Sequence, residues 1–232
     1  MGYSSRKDQG VGGGEFDAVS FAIARVVGSS GSVTGFDVDD VKVQLARQEA
    51  EHERLDNVDF RRASVDDLDD DAEYDLVYSR FLFTHLRDPA SALRRLLRAT
   101  KSGGVVIVED IDHSGIFSHP ACPALERYVS LYNKVVRSRG ADPEIGPKLP
   151  ALFRQVGVRE VHVSHIQPAF IDGEAKRVHQ ITLENIGPAL VASLLITEAE
   201  LAALTRALDE FVENPETIVS FPRIFQIWAR RV

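Results

Sequence analysis

The chain has 232 residues, 44% hydrophobic and 27% charged, an ordinary globular balance with enough apolar material for one large packed domain. Its formal net charge is −8 with no long basic block, which makes duplex nucleic acid a poor partner. The single cysteine, Cys122, excludes internal disulfides and a cysteine-based zinc cluster, and no apolar run reaches the roughly 18 residues of a membrane span.

Residues 1–9 are polar and turn-like, and a glycine-rich run covers 10–14. Residues 19–27 are mostly apolar and suit a buried helix, ended by the breakers at 28–31. A short strand is predicted over 32–36, running into Asp37. Asp39 or Asp40 then caps a helix that continues to about residue 55. Strands are predicted over 57–61 and 74–79. Asp88 and Pro89 open a helix that carries Ala92, Leu93, Leu96 and Leu97 at helical spacing and ends near Lys101. Gly103 and Gly104 break it, and 105–108 form an all-apolar strand. Short apolar strands alternating with helices indicate a parallel sheet covered on both faces.

After Asp110 the pattern changes. Residues 111–123 read as irregular, followed by helices over 124–139 and 148–156 and a strand over 158–166. Two more helices cover 182–195 and 197–214, the second opening on a Thr197/Glu200 capping box, and a last strand covers 224–228. The chain thus divides into a first part, 1–110, and a divergent second part, 111–232.

The chemistry-bearing signals lie in the first part. Gly10, Gly12 and Gly14 alternate in a turn, so backbone can pass close to a ligand with no Cβ in the way. Asp37 stands about 20 residues later at a strand's C-terminal end, where a carboxylate can accept from both ribose hydroxyls. This pair by itself fits S-adenosylmethionine and a nicotinamide dinucleotide equally.

Further segments, in order, carry a resemblance. Residues 8–14 (DQGVGGG) look like a D-x-G-x-G-x-G nucleotide loop, and 28–39 (GSSGSVTGFDVD) like the segment that leads to a ribose-binding acid. Residues 60–68 (FRRASVDDL) resemble an adenine-contacting loop, 74–89 (YDLVYSRFLFTHLRDP) a fourth strand with its turn, and 101–110 (KSGGVVIVED) a K-P-G-G turn with a fifth strand. Together they resemble the class I S-adenosylmethionine-dependent methyltransferases of the type-11 or type-25 kind, over about the first half of the chain. The resemblance implies an α/β, Rossmann-like methyltransferase fold. Its sheet would be mostly parallel and seven-stranded, with helices on both faces, a helical lid and an antiparallel last strand.

The same resemblance implies a cofactor site. Gly10, Gly12 and Gly14 would cradle the methionyl part of S-adenosyl-L-methionine, and Asp37 would hold the ribose with Val38 against the adenine. Ser64 and Val65 would line the adenine edge, and Ser79 and Arg80 would sit near the methionyl group. Many relatives carry Asp where Ser64 stands. The structural alternative for Arg80 is a surface ion pair.

Methyl transfer needs alignment and water exclusion more than a fixed catalytic signature. His85, just past the fourth strand, is the first candidate base, with a packed structural histidine as its alternative. Glu109, Asp110 and Asp112 sit at a strand end where acceptors bind, and Asp110 is taken with His85 as catalytic. His113 and His119 follow in a stretch that could cover the acceptor. Residues 111–139 and 172–195 are the expected lid elements, with Phe117, Tyr128, Tyr132, Phe170 and Ile181 as pocket aromatics and aliphatics. No metal is expected.

The start departs from the family, since residues 4–9 do not read as a buried first strand. Sequence missing near residues 1–18 is one explanation. The expected activity is methylation of a small-molecule acceptor in the cytoplasm by a chain without membrane or nucleic-acid partners, with a homodimer among the open assemblies. The alternatives are a methyltransferase-fold protein with other chemistry or none, and a nicotinamide-dependent oxidoreductase. The last would call for a Tyr-x-x-x-Lys pair, and that spacing occurs once, at Tyr3 and Lys7 in the polar start of the chain.

Overall fold

A computed structural model describes residues 2–4 and 15–232. Strand β1 (Gly2–Ser4) and helix α1 (Glu15–Val27) come first. Gly28 turns the chain out of α1 at φ +60°, and the Asn57 side-chain amide seals that turn by donating to the carbonyls of Ala24 and Gly28, each at 2.8 Å. Strand β2 (Val33–Asp37) leads to helix α2 (Asp40–His52), capped by Asp39, which accepts from the Val41 amide. Strands β3 (Val58–Arg62) and β4 (Tyr74–Arg80) follow. Helix α3 (Pro89–Ala99) starts as its sequence predicts, with Asp88 accepting from the Ser91 amide and proline in the first turn. Strand β5 (Thr100–Asp112) comes next.

The second half holds β6 (Ser118–His119), α4 (Pro123–Ser138), α5 (Leu149–Gln155), β7 (His162–Ile166) and β8 (Ala169–Phe170). It ends with α6 (Val178–Ala192), α7 (Glu198–Glu213), β9 (Ile218–Ser220) and β10 (Arg223–Arg230). The expected Thr197/Glu200 box caps α7 in both directions.

The main sheet has the order β3-β2-β1-β4-β5-β10-β7. Strands β1 to β5 pair in parallel, and β10 runs antiparallel to both its neighbours. The chain leaves β1 toward β2 and β3, then returns to β4 on the other side. Open α/β sheets bind ligands in a crevice at such a reversal, here the C-terminal ends of β1 and β4.

Three apolar clusters hold the fold. Val77, Val106, Val108 and Ile227 of the sheet are fully buried against Leu93 and Leu96 of α3 and Leu149 and Phe153 of α5. Phe21 of α1 meets Val43 and Ala46 of α2 and Phe60 of β3, the two phenyl rings edge to face at 5.8 Å. Leu131 of α4, Leu183 and Leu190 of α6 and Leu208 of α7 form the third, apart from the main sheet.

Several sequence expectations need correction. Residues 2–4, read as turn-like, form an interior strand, third of the seven. Ladders to β2 and β4 hold those three residues by main-chain bonds, so side-chain composition carries no trace of them. Residues 5–14, with Gly10, Gly12 and Gly14, lie outside the described residues, as does most of the span where missing sequence is suspected. Strand β5 begins at Thr100 rather than after Gly104. The Gly103 amide, at φ +78°, donates to the Arg231 carbonyl at 2.7 Å, so the glycines join the ladder instead of interrupting it. The supposedly irregular 111–123 continues β5 to Asp112 and contributes β6, while the strand read over 158–166 begins only at His162. β6, β9 and β8 make a second, three-stranded sheet, whose two- and three-residue strands are too short to show a period.

Leu93→Ala is expected to lower stability by about 2–5 kcal/mol, because Leu93 is fully buried in the sheet–α3–α5 cluster. Gly146→Ala should cost roughly 1–3 kcal/mol by overpacking. Its Cβ would lie 2.8 Å from the Phe225 ring and 3.0 Å from the Ile111 carbonyl. Urea unfolding of both variants beside the unsubstituted protein checks these values.

Candidate active site

The crevice is built from strand ends. Register places Asp37 opposite Ser4 and Ser79 opposite Tyr3, so both flank the end of β1. Asp37 is 1% exposed; its Oδ1 accepts from the Asp39 amide at 2.8 Å and its carbonyl from the Ala63 amide at 3.0 Å. Val38 follows, half-buried, with its carbonyl accepting from Arg62 Nε at 3.3 Å. Ser79 is wholly buried, and its hydroxyl has no hydrogen-bond partner among the described residues.

Arg80 makes a part-buried ion pair, Nε to Glu109 Oε1 at 2.8 Å, and Gln226 Nε2 donates to the other Glu109 oxygen at 3.1 Å. Burial, then the Glu109 charge, push the Tyr78 phenol up, so it stays protonated beside that carboxylate. The Arg80 guanidinium also lies over the Phe81 ring, 4.6 Å from its centre. Phe81 adopts φ +51°, a left-handed conformation rare for a bulky residue. Its amide is held by the Glu109 carbonyl at 2.9 Å, so the strained turn is fixed to β5.

Asp110 completes that attachment. Oδ2 accepts from the Phe83 amide at 2.6 Å and the Thr84 amide at 3.2 Å, and Oδ1 accepts from the Ile111 amide at 2.8 Å. Burial raises its pKa to about 7 against the lowering effect of those three amides. The short turn Phe83–His85 hangs on this carboxylate and presents His85 half-buried at its end.

The adenine-side candidates have other uses for their side chains. The Ser64 hydroxyl caps a short turn by accepting from the Asp66 amide at 3.2 Å, with Asp67 returning to the Ser64 amide. The Val65 side chain is buried in the main cluster, which leaves only its main chain for a ligand.

Beyond β5, two buried histidines stand where the sheet meets the α4–α6–α7 cluster. His113 is 4% exposed and stacks on Tyr132 of α4, rings 4.1 Å apart and 13° from parallel. Burial, then His179 and His85, hold its pKa well below the usual histidine range. His179 of α6 is 4% exposed, with Nε2 2.8 Å from the Ser220 carbonyl and its ring 5.4 Å from Tyr128. Burial lowers its pKa to about 4, against the raising effect of that hydrogen bond. His113 was read from the sequence only as a residue near the acceptor, and His179 was missed, since nothing local marks a helical histidine that finds its partners on β9 and α4. His119 is exposed on β6 and Phe117 is 46% exposed, so neither joins this buried group. Asp112 pairs with Arg223 at 2.7 Å. Among the described residues the one cluster with metal-ligand spacing is Glu49, His52 and Glu53, all exposed on and just after α2.

A family profile described as a methyltransferase domain matches residues 8–142, more than half of the chain. The demethylmenaquinone methyltransferase of Staphylococcus epidermidis is 30% identical over 118 residues, which are 50% of this chain and 46% of that protein. The ubiquinone biosynthesis O-methyltransferase of Acinetobacter baylyi is 29% identical over 109 residues, 46% of this chain and 43% of that one. The alignments thus span under half the length of these curated relatives. Among solved structures, the YcgJ protein of Bacillus subtilis superposes with a TM-score of 0.60 at 16% identity, over 98% of this chain and 89% of that one. At that identity the likeness speaks for the fold.

The two buried histidines make acid sensitivity a testable property. A histidine whose folded pKa is depressed contributes stability above its unfolded pKa of about 6.5 that is lost as pH falls toward the folded value. Asp110, with a raised pKa, works in the opposite direction between about pH 4 and 7. His179→Gln keeps a donor for the Ser220 carbonyl and removes the titration, so it should reduce the stability lost between pH 7 and 4.5 by about 2–3 kcal/mol. Chemical denaturation at several pH values tests this; equal losses in both proteins would refute it.

Proposed function

From a chain that belongs to the class I S-adenosylmethionine-dependent methyltransferases, we propose transfer of a methyl group from S-adenosylmethionine to a small-molecule acceptor. The observation that carries this reading is the pairing of a buried carboxylate, Asp37, and a buried hydroxyl, Ser79, that has no partner among the described residues, on either side of the β1 end. A carboxylate there can accept from ribose hydroxyls, and a buried hydroxyl can bond the amino-acid part of the cofactor. The residues present therefore fit the cofactor.

In this reading Asp37 holds the ribose and Val38 covers the adenine, with the Ser64 and Val65 main chain along the adenine edge. Ser79 and the Arg80–Phe81 backbone meet the methionyl part, with Gly10, Gly12 and Gly14 as the cradle that family resemblance implies. The bound cofactor supplies an electrophilic methyl group on a sulfonium. The protein's part is to aim the acceptor along the line of displacement and keep water out. His85 faces the acceptor as base, and Asp110 serves it as a positioning residue by fixing the turn that carries it. Helices α4, α6 and α7 act as the lid. No helix among the described residues is long and apolar enough to cross a membrane.

Calorimetric titration tests this first. S-adenosylmethionine and S-adenosylhomocysteine should bind, while NAD and NADP should not. Asp37→Ala should weaken binding roughly 10- to 100-fold, the worth of charge-assisted hydrogen bonds. Binding of a nicotinamide dinucleotide in place of the sulfur cofactors would overturn the assignment.

A further inference from the structure

We propose that His113 binds the methyl acceptor through a hydroxyl, and that the acceptor is an uncharged hydroxyarene. This rests on the methyltransferase reading and adds the substrate class to it.

The first ground is position. His113 directly follows β5, and β5 lies beside β4, whose end carries Ser79. His113 therefore stands at the ligand-binding edge of the sheet, one strand from the expected methionyl contacts. The second ground is an unmet bond. His113 is 4% exposed, yet Nδ1 has no hydrogen-bond partner among the described residues. Its main-chain amide already donates to the Pro143 carbonyl at 3.1 Å, so backbone demand does not explain the ring's placement. Stacking on Tyr132 fixes the ring plane.

The surrounding chemistry selects the class. A hydroxyl both donates and accepts, so it satisfies Nδ1 in either tautomer. A carboxylate only accepts and an ammonium only donates, and each would need a counter-charge. The carboxylates at this end of β5 are already committed. Asp110 is bound by three amides and Asp112 is paired with Arg223. The wall itself is flat and aromatic: His113 against Tyr132, with Tyr128 between Tyr132 and His179. Such a wall matches a planar ring.

The test is fluorescence titration of the S-adenosylhomocysteine-loaded protein with 1-naphthol, naphthalene and 1-naphthoate. Naphthol should bind at least 10-fold more tightly than either of the others. His113→Phe keeps the stack and removes Nδ1; it should bring naphthol down to the affinity of naphthalene and leave naphthalene unchanged. His113→Asn, which returns a polar atom near the Nδ1 position, should recover part of the difference. Equal weakening of naphthol and naphthalene would mean that His113 only packs, and would overturn the proposal. So would a wild-type protein that holds S-adenosylhomocysteine but binds naphthol no better than naphthalene, a result that needs no variant. Failure of the wild-type protein to bind S-adenosylhomocysteine would instead overturn the methyltransferase reading beneath it.

Discussion

Asp110 is a carboxylate sealed inside the protein where β5 meets the turn after β4. Taking such a group out of water costs several kcal/mol, and three main-chain amides offset part of that cost. Its raised pKa says that burial still outweighs them. The arrangement is mutual, because the amides of Phe83 and Thr84 would otherwise lie unpaired in the same interior. One interaction therefore sets where the turn sits against the sheet. The left-handed Phe81 and the Arg80–Glu109 pair lie at the same junction of β4 and β5.

The same economy governs the layer above. The segment after β5 is held by Arg223, which pairs with Asp112 and donates to Ser114, and Gly115 leaves the room that this side chain occupies. The strands β6, β8 and β9 tie that segment to the start of β10, with Gln167 donating to the carbonyls of Gly115 and Phe221. Asp112 is thus neutralised within the scaffold, and His113 and His179 are buried and held neutral. In the proposed reading the parallel sheet supplies the cofactor edge common to the fold, while acceptor choice falls to α4, α6 and the end of β5. That division is why a shared fold does not by itself name a substrate.

Much of the first half was legible in the sequence. Asp39 and Asp88 cap the helices they precede, since capping depends on one side chain and the next few amides. The strand ending in Asp37 and the one ending in Arg80 were visible because apolar runs between helices have few other uses. Ser64 and Val65 were placed on the right turn, yet the cap bond and the core contact of their side chains depend on neighbours the local pattern does not name. Asp110 was read as catalytic from its place at a strand end. The three amides that occupy it come partly from residues 26 and 27 positions away.

By itself the sequence determined the alternation of strands and helices, the caps and the acid at the end of β2, because periodicity, capping and strand termination are local. The tertiary structure alone decided that Gly2–Ser4 is an interior strand between β2 and β4, that two- and three-residue segments make a second sheet, and that His113 and His179 share a buried aromatic wall. Those outcomes rest on main-chain ladders and on side chains brought together from distant parts of the chain, and no local run of residues encodes either.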